Sequence, residues 1–428
     1  MSNIKKDFYI PRGAGCGRLT MGLITFFFFL TSLSAQMEWI CATDSAGWSE
    51  RYAHQAVVFD NKIWVLGGIG NGNKNDVWSS TDGINWILVT GSAEWSGRFC
   101  PVVSYDNKIW VLGGYDTSNY KNDVWYSADG VNWTQATASA GWSARAHHTS
   151  VVFNNKIWVL GGNDSIYGPR NDVWYSTDGV NWEQATASAA WTMRGAHTSV
   201  VFDDKMLVIG GSYFIGPLVG PNDDAWYSSD GINWTQATDS AGWTARALHT
   251  SAVFDNKIWV LGGVDEEGRR NDVWYSTDGV NWTQATDSAE WIKREGHTSV
   301  VFDNKLWVLG GEYRHGDLND VWYSTGLGIQ EPPSHDTINL TLRVLPVQFN
   351  KNVKITYSLT KSSIVRLSIY DSSGKEVKAL FNGKQVAGSH ELKWDGEDNT
   401  GRKLSAGTYF LKLKADGSTI IKKIVKLV

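Results

Sequence analysis

A histidine recurs along the chain with an arginine three positions before it, and imidazoles repeated in this way could bind a metal ion. We expect a structural role instead, because a fixed cation beside each imidazole discourages a second bound cation. Aspartates recur with the same period and are interpreted as turn residues or arginine partners. We therefore predict no metal site and no obligatory cofactor. The histidines are His54, His148, His197, His249 and His297, with Pro101 in the second place; the arginines are Arg51, Arg98, Arg145, Arg194, Arg246 and Arg294; the aspartates are Asp76, Asp123, Asp172, Asp224, Asp272 and Asp320.

These residues belong to a repeat that is marked by a glycine doublet, which returns six times at spacings of 46, 48, 49, 52 and 48 residues. The typical unit reads Arg-x-x-His, an apolar run, Asn-Lys, Ile-Trp-Val-Leu-Gly-Gly, a variable stretch, Asn-Asp-Val-Trp-Tyr-Ser, Asp-Gly and Asn-Trp. Four short β-branched and aromatic runs separated by turn signals predict four antiparallel strands per unit. Because one such sheet cannot bury both faces alone, six units predict an all-β fold, a six-bladed β-propeller.

The sixth unit stops at Gly326 without its Asp-Gly hairpin and last strand. The segment from Glu38 to Trp48 matches Asn281 to Trp291 position for position. We therefore expect this N-terminal segment to supply the outer strand of the last blade and to close the ring. Four tryptophan columns of the repeat contain 23 of the 24 tryptophans, and we interpret them as packing between blades.

The glycine doublets, the spaced tryptophans and the Arg-x-x-His segments together resemble Kelch repeats over residues 38–325. The resemblance implies a propeller that serves as a binding platform, and in a few relatives as an enzyme. Galactose-oxidase-like enzymes resemble Kelch propellers and bind copper beside a cysteine–tyrosine pair. Cys41 is expected on an outer strand and Cys100 near the axis, so neither a copper site nor a disulfide between them is expected.

The stretches that depart from the repeat are the candidate binding sites. Strand alternation brings two of them, the stretch after Gly-Gly and the Arg-x-x-His link, to one face of the propeller. Exposed aromatic rings among charged groups suit an extracellular glycan or a protein equally well. The alternatives are solvent-exposed loops without function, and an extracellular carbohydrate-active or oxidising enzyme. The binding candidates are Tyr115, Tyr120, Tyr167, Tyr213, Phe214, Arg269, Tyr313 and Arg314; Asp116, Asp164, Arg170, Arg270 and His315 accompany them; Tyr52, Phe99, His147, Leu248 and Glu295 are expected nearer the axis; the catalytic candidates are Asp265, Glu266, Glu267 and Glu295.

The ends of the chain differ from the repeats in charge and pattern. Residues 1–35 combine four basic residues with an apolar run and a small-residue stretch, which predicts a cleaved secretory signal peptide; an uncleaved anchor is the alternative. Residues 36–340 carry 19 basic and 36 acidic side chains, a net charge of −17, and residues 341–428 carry 16 and 7, a net charge of +9. We expect a secreted or surface-displayed bacterial protein with no nucleic-acid partner and no membrane span after cleavage.

The predicted domains are the signal peptide, the propeller (36–328), a linker (329–344) and a C-terminal β-sandwich (345–428). In this last domain, Ile369 to Val377, Trp394-Asp395-Gly396 and Ala406 to Tyr409 resemble the Ig-like module of flagellar hook-capping proteins. The module is also similar to the C-terminal sorting domains of type IX secretion. That similarity implies a role in secretion or surface attachment in which Lys422, Lys423 and Lys426 face the secretion machinery; a structural or adhesive sandwich is the alternative.

Overall fold

The computed structural model describes residues 37–166, 168–214, 219–326, 341–345, 348–359, 362–371, 375–415 and 418–427. By its internal contacts the chain divides into two compact units, Met1–Ile329 and Gln330–Val428. Every regular element in the described part of the chain is a β-strand, and none of it forms a helix that could cross a membrane. The prediction of an all-β fold is confirmed.

The first unit contains thirty strands among its described residues. They are β1 (Ile40–Thr43), β2 (Gln55–Phe59), β3 (Lys62–Leu66), β4 (Ile69–Gly70), β5 (Gly72–Asn73), β6 (Val77–Ser80), β7 (Ile87–Thr90), β8 (Arg98–Phe99), β9 (Val102–Tyr105), β10 (Lys108–Asp116), β11 (Tyr120–Ser127), β12 (Thr134–Thr137), β13 (Arg145–Ala146), β14 (Thr149–Phe153), β15 (Lys156–Asp164), β16 (Gly168–Ser176), β17 (Glu183–Thr186), β18 (Thr198–Phe202), β19 (Lys205–Ile209), β20 (Ser212–Phe214), β21 (Val219–Pro221), β22 (Ala225–Ser228), β23 (Thr235–Thr238), β24 (Thr250–Phe254), β25 (Lys257–Asp265), β26 (Gly268–Ser276), β27 (Trp282–Thr286), β28 (Thr298–Phe302), β29 (Lys305–Tyr313) and β30 (Gly316–Ser324).

Each sequence repeat forms one antiparallel sheet of four principal strands, which we call a blade. In order from the innermost strand outward, blades 1 to 6 are β2-β3-β6-β7, β9-β10-β11-β12, β14-β15-β16-β17, β18-β19-β22-β23, β24-β25-β26-β27 and β28-β29-β30-β1. The innermost strand of each blade contacts those of both neighbouring blades, including β28 with β2. The sheets therefore form a closed ring, which is the architecture of a β-propeller.

The N-terminal segment closes this ring as predicted. Strand β1 pairs with β30, with Ile40 opposite Tyr323 and Cys41 opposite Trp322. Beside this strand, the ring of Trp39 packs edge-on against that of Trp291, with centroids 5.8 Å apart. The same tryptophan contact occurs at all six junctions between blades, which confirms the packing role of these two columns. The other five pairs are Trp48–Trp86, Trp95–Trp133, Trp142–Trp182, Trp191–Trp234 and Trp243–Trp282.

The second unit is a sandwich of two sheets around a core that includes Val353, Leu367, Trp394 and Leu411. One sheet has the order β31-β33-β36 and the other β32-β38-β37-β34-β35. All of its strand pairs are antiparallel except β32 with β38. The strands are β31 (Thr341–Leu345), β32 (Gln348–Phe349), β33 (Val353–Leu359), β34 (Ser363–Asp371), β35 (Glu376–Gln385), β36 (Gly388–Trp394), β37 (Gly407–Ala415) and β38 (Ser418–Lys426).

Deletion of residues 36–48 should destabilise the propeller strongly. The deletion removes β1 and the buried Trp39 and Trp48, and truncation of one buried tryptophan costs about 3–5 kcal/mol. We expect the unfolding midpoint, measured by circular dichroism, to fall by more than about 10 °C. The control is Ile40→Thr, which places the template residue on the exposed side of β1 and should leave the midpoint nearly unchanged. An unchanged midpoint after the deletion would refute closure by β1.

Candidate functional site

The repeated arginines and aspartates form one buried ion pair in each blade. In blade 5, Arg246 donates from its two terminal nitrogens to the two carboxylate oxygens of Asp272, at 2.7 and 2.8 Å. The same guanidinium also donates to the carbonyl of Gly262, the first glycine of the doublet, and Asp272 accepts from the indole of Trp274. The prediction that these aspartates are arginine partners is confirmed. The equivalent pairs are Arg51–Asp76, Arg98–Asp123, Arg145–Asp172, Arg194–Asp224 and Arg294–Asp320.

The repeated histidines lie in the interfaces between blades and not on an open surface. The ring of His249 packs against Trp243, and its Nε2 is 3.1 Å from Thr198 Oγ1 of the preceding blade. His197 and His297 make the same contact, with Thr149 and Thr250. Burial, followed by the charge of Arg246, lowers the pKa of His249 to about 3, so the imidazole is neutral at ordinary pH. His197, His249 and His297 thus act as hydrogen-bonding spacers between blades.

Blade 2 departs from this arrangement, and our alignment of Pro101 with the histidines was wrong. The Cβ of Cys100 takes the place beside Gly114 that His148 Cβ takes beside Gly162. The carbonyl of Pro101 accepts from the amide of Leu112. Leu112 is equivalent to Leu160, which lies opposite Thr149 in blade 3, so Pro101 is equivalent to Thr149 and not to a histidine. The link from Arg98 is therefore one residue shorter than in the other blades. The sequence carried this signal, because Arg98 lies 12 positions before its tryptophan, Trp110, whereas each equivalent arginine lies 13 positions before its counterpart.

The missing residue belongs to a belt of backbone hydrogen bonds around the propeller axis, which we call the collar. Its members are the residues just before the histidines, and each donates its amide N–H to the carbonyl of the member in the preceding blade. The backbone of each member is left-handed, with φ between 52° and 58°. The bonds are Ala53 to Gly296 (2.6 Å), Gly296 to Leu248 (3.0 Å), Leu248 to Ala196 (3.0 Å) and Ala196 to His147 (2.9 Å). Blade 2 has no member, so the described part of the collar is open between His147 and Ala53.

The collar surrounds the mouth of a cavity of about 200 Å³ on the axis. Four serines line it with their hydroxyls buried, and these hydroxyls have no hydrogen-bond partner in the part of the chain that the structure describes: Ser150, Ser199, Ser251 and Ser299. No side chain among the described residues that line the cavity carries a formal charge at neutral pH, because burial lowers the pKa of His147 to about 4. These serines were not among the predicted candidates, because their place in the repeat is that of ordinary strand residues.

The variable hairpins and the Arg-x-x-His links lie at the same end of the blades, as predicted. The register shows this directly, with Tyr115 opposite Phe99 and Asp164 opposite Arg145. We call this end of the propeller the variable face.

On blades 2 and 3 the variable face carries a group of uncharged rings. The ring of Phe99 lies 4.7 Å from that of His147 and 5.9 Å from that of Tyr115, and Tyr115 lies 5.0 Å from Tyr120. All four residues are partly exposed. We call these residues the aromatic group. Of the binding candidates, the structure brings together Tyr115 and Tyr120.

On blades 5 and 6 the variable face carries mostly carboxylates. Arg269 donates to Glu295 at 2.6 Å and to Glu312 at 2.7 Å. Burial raises the pKa of Glu295 and of Asp317, and the charge of Glu312 raises both further. These four residues, which we call the acidic group, thus hold three carboxylates with a single guanidinium. Glu312 and Asp317 were not among the predicted candidates, because neither residue type nor spacing distinguishes them from other loop carboxylates.

Several predicted candidates are held by contacts within their own hairpins. Asp265 accepts from Thr244 Oγ1 and Arg270 Nε, both at 2.5 Å, and Arg270 also pairs with Glu267. Although burial alone would raise the pKa of Asp265, these bonds lower it below its ordinary value. Asp116 pairs likewise with Lys121, and Asp164 with Arg170. Three of the four catalytic candidates lie in the hairpin of blade 5, where Glu266 is exposed, while Glu295 belongs to the acidic group.

The remaining candidates belong to neither group. Tyr213 is exposed, and the ring of Tyr313 lies 5.9 Å from that of His315 next to the exposed Arg314. Phe214 ends β20, and Tyr167 lies outside the described residues. In the second unit, Lys422, Lys423 and Lys426 all belong to β38; Lys422 is exposed and Lys426 partly exposed.

Stability should fall on mild acidification because the interface histidines are neutral in the fold. The pKa of His249 is about 3 when folded and near 6.5 when unfolded, so its contribution is complete above pH 6.5 and is lost as pH falls toward 3. The expected loss is about 1.4 kcal/mol per pH unit for each such histidine. Urea unfolding of the wild type and His249→Gln between pH 6.5 and 4.5 measures it, in a range where most carboxylates stay ionised. The variant should show a slope smaller by about that amount; equal slopes would contradict the assignment.

Comparison with known families agrees with this architecture. The KLHDC2/KLHL20/DRC7 Kelch-repeats domain matches residues 22–211, the Kelch motif matches residues 245–275, and the FlgD Ig-like domain matches residues 346–418. A search of curated proteins gives no significant match. Kelch domains generally mediate protein binding. The chain thus combines Kelch repeats, in a β-propeller, with a C-terminal Ig-like domain similar to that of FlgD.

Proposed function

We propose that the chain is a secreted or surface-displayed recognition protein whose propeller binds a partner protein at the variable face. The observation that carries this proposal is the uneven chemistry of that face, with the aromatic group on blades 2 and 3 and the acidic group on blades 5 and 6. The repeated arginines, aspartates and tryptophans are engaged in bonds and packing inside the blades. Recognition is therefore left to residues that differ from one blade to the next.

The aromatic group supplies the anchors of the proposed interface. Partly exposed aromatic side chains carry a large share of the binding energy in protein interfaces, since they bury much apolar area at little entropic cost. Phe99, Tyr115 and Tyr120 already contact one another or His147, so their rings lose little freedom on binding.

The acidic group supplies charge selectivity. Three carboxylates and one guanidinium, which pairs with two of them, leave a net negative charge, and the raised pKa of Glu295 reflects burial and repulsion from Glu312. A lysine or arginine of a partner would relieve this repulsion. We therefore infer a partner segment that joins an apolar or aromatic side chain to a basic one.

An extracellular glycan is the second candidate ligand. The exposed ring of Tyr213, and the pairing of Tyr115 and Tyr120 beside Asp116, favour it, because sugars combine apolar faces with hydroxyls. Loss of capture after glycosidase treatment of the extract would identify a glycan.

For the second unit we propose a role in secretion or surface attachment through β38. The support is the net charge of +9 over residues 341–428 and the exposed Lys422 on the last strand. An acidic or anionic element of the export apparatus or cell surface would complement this charge. The predicted signal peptide is consistent with this route.

Tyr115→Ala/Tyr120→Ala should abolish capture of the partner by the full chain. Removing two anchor rings costs about 2 kcal/mol or more each, which reduces affinity by over tenfold. The measurement is a pull-down from cell-surface extract with mass spectrometry of the captured protein. The control, Val180→Thr, changes an exposed hairpin position at the opposite end of the blade and should leave capture intact. Capture that survives the tyrosine change and is lost in the control would place the site on the other face.

A further inference from the structure

The outermost strands of two neighbouring blades carry apolar side chains where the repeat is polar. In blades 2 to 5 this strand carries threonine or glutamate followed by glutamine, as in Thr134 and Gln135. Blade 1 has Ile87 and Leu88 at these two places, 68 % and 48 % exposed, and blade 6 has Ile40, 47 % exposed, at the first of them. Exposed apolar groups are unexpected on an edge strand, which proteins commonly protect with charged side chains.

Two of these side chains point into the junction between blades 6 and 1. Leu88 lies opposite Trp78 on β6, and Ile40 lies opposite Tyr323 on β30. Trp78 and Tyr323 both belong to the apolar cluster that joins these two blades. Since residues opposite each other on paired strands share one face of the sheet, Leu88 and Ile40 point to the outer rim of this junction. At each of the other five junctions at least one of the two equivalent residues is polar: the pairs are Ile87–Gln135, Thr134–Gln184, Glu183–Gln236, Thr235–Gln284 and Thr283–Cys41.

The backbone of blade 1 is also open at this rim. In the part of the chain that the structure describes, β7 pairs with β6 alone, so its outer edge is available to another strand. The stretch from Ile84 to Ala93 contains no charged side chain, whereas the matching stretches of blades 3, 4 and 5 contain Glu183, Asp239 and Asp287. A strand could therefore pair with β7 without burying a charge of β7.

The distribution of charge favours a second copy of the chain as the occupant of this edge. A two-fold contact brings the same residues of both copies together, so any charge there would face its like. Residues 36–340 carry a net charge of −17, and this charge opposes self-association over most of the propeller surface. The uncharged β7 is an exception. A basic partner would find no carboxylate on this strand, and an acidic partner would be repelled by the rest of the propeller.

The rim can supply the centre of a stable interface. Such an interface buries roughly 800 Å² per partner, with apolar side chains at its centre and polar groups around them. The apolar centre would consist of four exposed side chains on blades 6 and 1: Ile40, Ile84, Ile87 and Leu88. Exposed polar residues of the same blade, such as Ser92, would lie at its margin.

We propose that the chain forms a two-fold dimer in which β7 pairs antiparallel with β7 of a second copy. The first blades of the two copies then form one eight-stranded sheet, and the apolar side chains at the rim become buried. This proposal goes beyond the proposed function, because the contact uses the outer strand of blade 1 and not the variable face. A dimer would present two variable faces, and it would bind a partner that is repeated on a surface with greater avidity.

The first test is sedimentation equilibrium of the full chain between about 0.1 and 100 μM, where we expect a monomer–dimer equilibrium. Ile87→Thr/Leu88→Gln installs the residues of blades 2, 4 and 5 and should weaken the dimer at least about tenfold. Its unfolding midpoint at the lowest concentration should equal that of the wild type, because these residues already occur in folded blades. The control is Ile232→Thr, an exposed hairpin position on blade 4 across the ring, which should leave the equilibrium unchanged.

The second test asks whether the contact is two-fold. Leu88 lies near the middle of β7, so antiparallel pairing would bring the two copies of this residue within about 8 Å of each other. Leu88→Lys and Leu88→Glu should each be monomeric, because each variant places like charges together. An equimolar mixture of the two variants should associate at least about tenfold more tightly than either variant alone. A contact with any other surface of the chain would not produce this recovery.

Three results would overturn the dimer. The wild type could remain monomeric up to about 100 μM. The dimer could persist unchanged in Ile87→Thr/Leu88→Gln and in both charged variants, which would place the contact elsewhere. A monomeric chain could instead capture a different protein through β7, which would assign the rim to another partner. Each of these results leaves the proposed function untouched, because that proposal is tested by capture through Tyr115 and Tyr120 on the variable face.

Discussion

In every blade an arginine that is at most 2 % exposed holds both oxygens of an aspartate, and the rest of the propeller is organised around this pair. Arg246, at the start of blade 5, reaches across the glycine doublet to Asp272 on the third strand. The ion pair therefore fixes the Arg-x-x-His link, the carbonyl of Gly262 and the indole of Trp274 relative to one another. A buried ion pair contributes little net stability over an apolar substitute, but losing one partner is costly, so its main effect is to impose one register.

The blades join through contacts that use the same residues repeatedly. An edge-on tryptophan pair occurs at each junction, and a histidine–threonine contact occurs at three of them. Because the repeated arginines, aspartates and tryptophans already contact one another inside the ring, the repeat is suited to stability and offers little for selective binding. Selectivity depends on the irregular positions, of which the shortened link at Cys100 and the hairpin of blade 5 are the clearest.

Much of this architecture could be predicted from the sequence, because propeller blades repeat their chemistry at regular spacing. The glycine doublets located the blades, and the match between Glu38–Trp48 and the fifth repeat located the closing strand. The pairing of Asp265 with Arg270 could not be predicted in the same way, because it depends on how one hairpin folds. The collar could not be predicted either, because it consists of backbone groups, and the residue types at Ala53, Ala196 and Leu248 do not indicate a left-handed conformation. Only the single-residue deletion before Cys100 could be found in the sequence, by counting the positions between Arg98 and Trp110.

Closure by β1 has a consequence for when the molecule can fold. Ile40 is among the first residues of the propeller to be synthesised, and its partner Tyr323 is among the last. Pairing over so great a sequence separation is entropically costly and slow. Until β30 has been made, the ring stays open and the end blades expose tryptophan faces that later become buried. The propeller can therefore complete its ring only after its last blade has been made, and aggregation through these faces is most favoured before that point.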